Sequence, residues 1–196
     1  SDAYDPEVVK KDSIDDADVD LTIADFKAHG YKPNCRVVMI DACFTGSFHL
    51  DDCIANEYIF NPGKTVAVIA NSVNVLQDKW SDRYMGLLGL GANVGFIPRF
   101  SGYLESQVIG DPTFSFVSAD PAVGNINELL AANNYKVWTK FLKNDKYPDL
   151  KSMAIEQYQQ AGKISSAELL NIFRNSKSAL VRVQALTSLS EDHNDD

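Results

Sequence analysis

The chain has 196 residues, of which 45% are hydrophobic, enough for one domain or for a compact domain with a smaller appendage. Its 27 acidic residues exceed its 18 basic ones, and the formal charge of −9 argues against nucleic acid or an anionic membrane surface as a partner. A cationic substrate or partner fits this charge better. No apolar run approaches the roughly 18 residues that span a bilayer, and the first residues lack the pattern of a secretion signal.

The N-terminal segment is acidic. Residues 1–18 contain seven acidic residues without sustained periodicity, which predicts a mostly solvated lead-in. Because the chain starts at Ser1 without a methionine, we expect a longer polypeptide upstream.

The three cysteines include no Cys-x-x-Cys pair and no Cys/His cluster with zinc spacing, so neither a disulfide framework nor a metal site is predicted. Cys35 and Cys53 are expected to be small buried residues.

The segment up to residue 70 alternates between helical and strand patterns. Residues 20–29 predict a short helix that stops at Gly30, and residues 50–58 are compatible with a second helix. Two continuous apolar runs, at residues 37–40 and 65–70, predict strands buried on both faces of a parallel sheet. This order predicts an α/β architecture with right-handed crossovers.

Two weaker patterns follow. A helix is predicted over residues 81–94, in which three glycines would allow close packing onto the sheet. Residues 110–117 predict a turn that leads into a short edge strand, because Pro112 cannot occupy a central position in a ladder.

The pattern changes at Asp120-Pro121, which predicts a domain boundary between residues 1–120 and 121–196. The second part has 3.6-residue periodicity and no strand-like run. The helices expected there cover residues 126–132, 135–142, 149–160, 166–174 and 179–189. Residues 151–158 and 182–189 share a basic residue, an alanine three places later and an adjacent apolar residue, which resembles helical-hairpin repeats of the HEAT type. Coincidental amphipathic helices remain the alternative.

Cys43 ends the first predicted strand, and a tight turn with Gly46 follows it. In open α/β sheets, ligands and catalytic groups gather beyond the carboxyl ends of the strands. Backbone N–H groups and a partner imidazole could hold a thiol there as thiolate, and the same N–H groups could stabilise the oxyanion of an acyl intermediate. The alternative from the local pattern alone is a buried cysteine at a strand end.

Three segments resemble successive landmarks of the gingipain family, within the wider group of caspase-like cysteine peptidases. They are Asp-Ala-Cys-Phe-Thr-Gly-Ser-Phe at 41–48, Gly-Lys-Thr-Val-Ala-Val-Ile-Ala-Asn-Ser at 63–72 and Val-Ile-Gly-Asp-Pro-Thr at 108–113. The match covers residues 21–117. It implies the C-terminal part of a caspase-like parallel sheet flanked by helices, and no cofactor. It also implies an exported protein, in the periplasm, at the cell surface or secreted.

The resemblance further implies site residues. Cys43 matches the nucleophile of a Cys/His dyad that cleaves peptide bonds, so the expected partner is a peptide or protein substrate. Ala70, Asn71 and Ser72 match the strand-end segment that lines the primary specificity pocket, and Trp80 is the nearest candidate for an aromatic residue of that pocket. A tryptophan packed under a loop is the alternative for Trp80.

The general base of the family is a histidine followed by glycine, and the chain offers only His29-Gly30. The predicted topology places His29 before the strand and Cys43 after it, roughly 20 Å apart, so His29 is interpreted as a helix C-terminal residue. His49 would approach Cys43 only if its loop folds back. The base is therefore expected upstream of Ser1, in another part of the same polypeptide.

Three functions are compatible with this sequence. The leading hypothesis is the catalytic portion of a cysteine endopeptidase, incomplete and inactive as this chain alone. The alternative is a non-catalytic caspase-like scaffold whose helical tail, residues 125–189, binds proteins. A flavodoxin-like ligand-binding domain is disfavoured because no glycine-rich phosphate loop follows either predicted strand.

Overall fold

The computed structural model describes residue 10 and residues 22–50, 52–75, 80–132 and 134–192. Within these residues the protein has a mixed α/β architecture of nine α-helices and one three-stranded sheet. The acidic lead-in predicted for residues 1–18 lies, apart from Lys10, outside the described residues. None of the helices in the described part of the chain is long and apolar enough to cross a membrane.

The chain forms two compact units, and it contributes two segments to each. The first unit comprises Ser1–Lys79 and Tyr103–Pro112, and the second comprises Trp80–Gly102 and Thr113–Asp196. The boundary expected between residues 120 and 121 stays a prediction.

In the first unit, Ile23–His29 form helix α1, as the sequence predicts. Thr22 and Asp25 form a reciprocal capping box, which satisfies amide groups that the first helical turn leaves free. Gly30 ends the helix in a left-handed conformation with φ +56°. This confirms the predicted stop.

The sheet consists of β1 (Val37–Met39), β2 (Ala67–Asn71) and β3 (Ser106–Gly110), in that order. Helix α2, Ile54–Phe60, connects β1 to β2, which run parallel. β2 and β3 are antiparallel, so the sheet is mixed rather than wholly parallel as predicted. The central strand β2 is buried throughout, whereas β1 is half-buried and lies at an edge of the described sheet. The expectation that β1 is buried on both faces is therefore wrong.

The third strand precedes Pro112 instead of following it. Gly110 pairs with Ala67 at the end of β3 and has φ +109°, so the chain turns there, and residues 111–117 form no strand. The edge strand predicted within residues 110–117 is thus wrong in position.

The core of the first unit lies between β2 and α2. Its buried members are Cys53, Ala55, Val68 and Ala70, and half-buried side chains from β1, α2 and β3 surround them. Cys53 is buried, as predicted. Cys35 is exposed, contrary to prediction, because it precedes β1 at the rim of the sheet, where its Sγ lies 3.8 Å from the hydroxyl oxygen of Thr65.

The second unit is entirely helical in its described residues. Its helices are α3 (Gly86–Gly89), α4 (Phe96–Ser101), α5 (Ile126–Ala131), α6 (Thr139–Leu142), α7 (Pro148–Gln160), α8 (Ser166–Asn175) and α9 (Ala179–Asp192), with 3₁₀ turns at Pro121–Val123 and Tyr135–Trp138. The helices predicted after residue 121 are confirmed, except that the one expected over residues 135–142 is a 3₁₀ turn followed by the four-residue helix α6. Helix α9 packs on α7 and α8, and Ile155, Leu169 and Val181 form their buried core.

The single helix predicted over residues 81–94 is wrong. Helix α3 has only four residues, and the chain leaves it through Gly91 with φ +91°. The Ala92 amide then bonds back to the Leu87 carbonyl, which closes a turn instead of continuing the helix.

Candidate active site

Cys43 lies beyond the carboxyl ends of β1 and β2. The amide of Ile40 donates to the carbonyl of Ile69 at 2.9 Å, which continues the parallel pairing past the end of β1. The chain then leaves the sheet, and the Cys43 side chain is exposed. The position agrees with the edge at which open α/β sheets collect functional groups.

The turn after Cys43 contains an unusual backbone conformation. Phe44 has φ +58°, the one positive φ of a non-glycine residue in the described chain. A bulky side chain in this left-handed region costs about 1–3 kcal/mol, so surrounding contacts must hold it. The Phe44 amide donates to the Val73 carbonyl at 3.2 Å, and the Phe44 carbonyl accepts from the Ser47 amide at 3.3 Å.

The sulfur of Cys43 receives a hydrogen bond from the loop after β2. The backbone amide of Val75 donates to Sγ at a distance of 3.3 Å. A backbone N–H at this distance stabilises negative charge on sulfur. Among the described residues, no imidazole makes a hydrogen bond with this sulfur.

Thr45 and Gly46 anchor the turn to β2. The Thr45 hydroxyl donates to the carbonyls of Ile40 and Ala42, at 3.2 and 3.0 Å. The Gly46 amide donates to the Asn71 carbonyl at 2.9 Å. A Cβ on Gly46 would lie 2.8 Å from the Cβ of Ala70, so only glycine lets the turn approach the strand this closely.

Asn71 is the polar centre of the site. Its side chain is buried, with 2% of its surface exposed, and its amide group donates to the carbonyls of Ile40 (3.4 Å) and Ala42 (3.3 Å). Its oxygen accepts a hydrogen bond from the Ser106 hydroxyl at 2.8 Å. Asn71 therefore joins β3 to the segment that leads into Cys43.

The other predicted pocket residues occupy different environments. The side chain of Ala70 belongs to the core of the first unit. Ser72 is half-buried, and both its amide and its hydroxyl donate to the Glu105 carbonyl, at 2.9 and 3.2 Å. Trp80 belongs to the second unit, where the Arg83 guanidinium lies over its ring at 5.5 Å from the centroid. The structure thus brings Ala70, Asn71 and Ser72 to the edge that carries Cys43.

The described histidines make other contacts. His29 ends α1, as predicted, and its Nδ1 lies 3.0 Å from the carbonyl oxygen of Asp25. His49 is exposed, and its ring centroid lies 6.2 Å from that of Phe48. Within the described residues, no group of three His, Cys, Asp or Glu side chains could hold a metal ion.

Sequence reasoning missed two parts of this site. The donor role of the Val75 amide depends on a loop fold that leaves no signal in side-chain identity. The role of Asn71 could have been suspected, because a buried strand that ends in an amide side chain must find polar partners.

The fold and the site together define a mixed α/β unit with an exposed strand-end cysteine and a backbone N–H donor on its sulfur. Comparison with family models, curated proteins and solved structures gave no match. The likeness to gingipain-like peptidases therefore rests on the three sequence segments.

Proposed function

We propose that this chain is the C-terminal portion of a gingipain-like cysteine endopeptidase domain with a caspase-like fold, and that Cys43 is its nucleophile. The observation that carries the proposal is the exposed Cys43 sulfur at the ends of two parallel strands, with the Val75 amide 3.3 Å away. The family likeness also favours an exported protein.

In the proposed reaction, the Cys43 thiolate attacks the carbonyl carbon of a peptide bond, and a C–S bond forms. The carbon–nitrogen bond then breaks, and an imidazolium gives its proton to the leaving amine. Water attacks the resulting thioester, restores the thiol and releases the acid product. The family likeness expects the histidine before the nucleophile strand, and we propose that it comes from polypeptide outside this chain. The two described histidines, His29 and His49, make no hydrogen bond with the sulfur.

One observation favours a second candidate function. The polar side chain best placed to act at the site, Asn71, is buried and engaged with backbone carbonyls and Ser106. A site whose polar groups serve the fold would also suit a non-catalytic scaffold. In that case the helices over residues 125–189 would bind a protein partner.

Selective alkylation tests the thiol, and a matched control lies in the same unit. Cys35 is also exposed, and no backbone donor contacts its sulfur in the described residues, whereas Cys53 is buried. The chain is treated with limiting iodoacetamide near neutral pH, and mass spectrometry maps the label. We expect Cys43 to react first; equal labelling of Cys35 would mean that exposure alone governs reactivity.

Peptide hydrolysis tests the enzyme against the scaffold. Peptides with basic and non-basic residues before the scissile bond are assayed with the chain alone and with an added upstream fragment that carries a His-Gly pair. We expect turnover only with the fragment, and none with Cys43→Ala. Turnover by the chain alone that is lost in His49→Ala would assign the base to His49. Inactivity of the full-length protein with intact Cys43 would support the scaffold.

A further inference from the structure

A small cavity lies on the first unit, on the surface of α1 and α2 rather than at Cys43. It has a volume of about 190 Å³ and is lined by Asp25, Phe26, His29, Tyr31 and Tyr58. A dry cavity of about 150 Å³ accepts benzene, so this one has room for a small molecule or for the end of a side chain.

The cavity has aromatic walls. The three ring pairs of Phe26, Tyr31 and Tyr58 meet at angles of 66° to 84°, with centroids 5.0 to 6.0 Å apart. Burial raises the pKa of Tyr58, and the nearby Tyr31 and Cys35 raise it further, so the Tyr58 ring stays a neutral phenol. Neutral aromatic faces attract cations through their quadrupole.

The charge beside these rings is negative. The amide and the hydroxyl of Thr22 both donate to Oδ2 of the Asp25 carboxylate, and Oδ1 accepts no hydrogen bond from the described residues. The same bonds lower the pKa of Asp25, so it remains ionised. Lys27, on the same helix, is already paired with Asp52 and Glu57.

We propose that this aromatic cavity binds a small organic cation of the alkylated ammonium class, with the rings around the alkyl groups and Asp25 as the counter-charge. The rings supply both apolar area and cation–π attraction, which inorganic cations with tight hydration shells cannot use as well. The negative net charge of the protein raises the local concentration of all cations and does not select among them. The aromatic walls are what favour alkylated ammonium ions over inorganic cations.

The probe is tetramethylammonium chloride, and its neutral counterpart of similar shape is tert-butanol. The full 196-residue chain, labelled in its tyrosine rings, is titrated by NMR at about pH 8, where histidine is ordinarily neutral, and at constant ionic strength. We expect a saturable shift of the Tyr31 and Tyr58 signals, with an affinity for tert-butanol about ten-fold weaker. Equal affinity for both probes, or no saturable shift, would overturn the proposal.

Four variants test the contributions of the ring and of the charge separately from any effect on folding. Tyr31→Leu should weaken tetramethylammonium binding about two- to five-fold, whereas Phe60→Leu, an exposed aromatic on α2 outside the cavity, should not change it. Asp25→Asn should also weaken binding. Because Asp25 belongs to the capping box, Thr22→Ala serves as its control: it breaks the box but keeps the carboxylate, so binding should persist. Loss of binding in Thr22→Ala with helicity intact would contradict the role of the charge.

One result would identify a different occupant. If nuclear Overhauser contacts join the Tyr31 ring to residues 1–21 and tetramethylammonium does not displace them, then the chain itself fills the cavity and the proposal fails. This test does not depend on Cys43, so it stands apart from the peptidase assay.

Discussion

The Val75 amide donates to the Cys43 sulfur at 3.3 Å, which joins the loop after β2 to the loop after β1. Replacing Val75 by proline removes this N–H donor, while Val75→Ala keeps it. A hydrogen bond to a charged group contributes about 1.5–3 kcal/mol, so Val75→Pro should slow alkylation of Cys43 about ten-fold or more. A time course of iodoacetamide labelling, with samples quenched at intervals, measures this rate. An equal rate in Val75→Ala and Val75→Pro would show that the amide does not activate the thiol.

Because the backbone at Phe44 is left-handed, glycine should give a more stable protein than alanine at this position, which is the reverse of their order within a helix. Both Phe44→Ala and Phe44→Gly remove the ring, but only alanine keeps a Cβ at φ +58°. The free energy of unfolding should therefore be about 1–2 kcal/mol higher for Phe44→Gly than for Phe44→Ala. Urea denaturation measures both.

Position 55 provides the control for this comparison. Ala55 lies within α2, where glycine should lower the free energy of unfolding by about 1 kcal/mol, apart from any loss of packing. If Phe44→Gly were the less stable of the two Phe44 variants, the turn would not impose the left-handed conformation in solution.

The buried amide of Asn71 should support the whole Cys43 edge. Asn71→Ala removes the oxygen that accepts from the Ser106 hydroxyl and the amide that donates to the carbonyls of Ile40 and Ala42. We expect a loss of about 1–3 kcal/mol in the free energy of unfolding and altered Cys43 labelling. The double variant with Ser106→Ala should lose less than the sum of the two single losses, because the two residues share a bond. Strict additivity, measured by urea denaturation, would show that the Asn71–Ser106 hydrogen bond does not contribute to stability.

In the second unit, Glu156 should make stability fall as pH rises. Burial raises its pKa above the ordinary value; Arg83, which donates to it at 3.0 Å, opposes this, and Glu191 adds to it. The folded state then holds the proton over a range in which the unfolded state has lost it. Stability contributed by the protonated form is therefore lost as pH increases from 4.5 through the raised folded-state pKa.

Glu156→Gln should remove that part of the pH dependence. Burial also raises the pKa of Asp149, which adds its own pH dependence. The measured quantity is therefore the difference in the free energy of unfolding between wild type and variant at each pH. If the difference stays flat between about pH 4 and pH 7, Glu156 titrates alike in the folded and unfolded states.

The sequence predicted the helices after residue 121 from apolar residues that recur about every 3.6 positions, and side-chain caps mark the start of two of them, at Asn125 and Ser165. Ser165 and Glu168, for example, form the capping box that starts α8. The helix predicted over 81–94 failed because a continuous pattern concealed a left-handed break at Gly91. The strand before Pro112 was missed because Ser106 and Gln107 begin it with polar side chains, while its pairing with β2 is set by tertiary structure.

At the site, the local sequence was enough to predict the position of Cys43, but not the residues that bond to its surroundings. A strand followed by a glycine-containing turn predicts a residue beyond the sheet edge, and Cys43 lies there. The Val75 donor and the bond between Asn71 and Ser106 join segments about 30 or more residues apart in sequence. No local pattern encodes such pairs, so only the folded chain reveals them.

The reversed direction of β3 changes which residues can tune the cysteine. In a wholly parallel sheet, every strand would bring its last residues to this edge, but antiparallel β3 brings its first. Ser106 pairs with Asn71, and the Glu105 carbonyl accepts from Ser72. Substitutions at positions 103–105, far from Cys43 along the chain, should therefore shift the backbone near Cys43. A mutational scan for altered thiol reactivity should begin there.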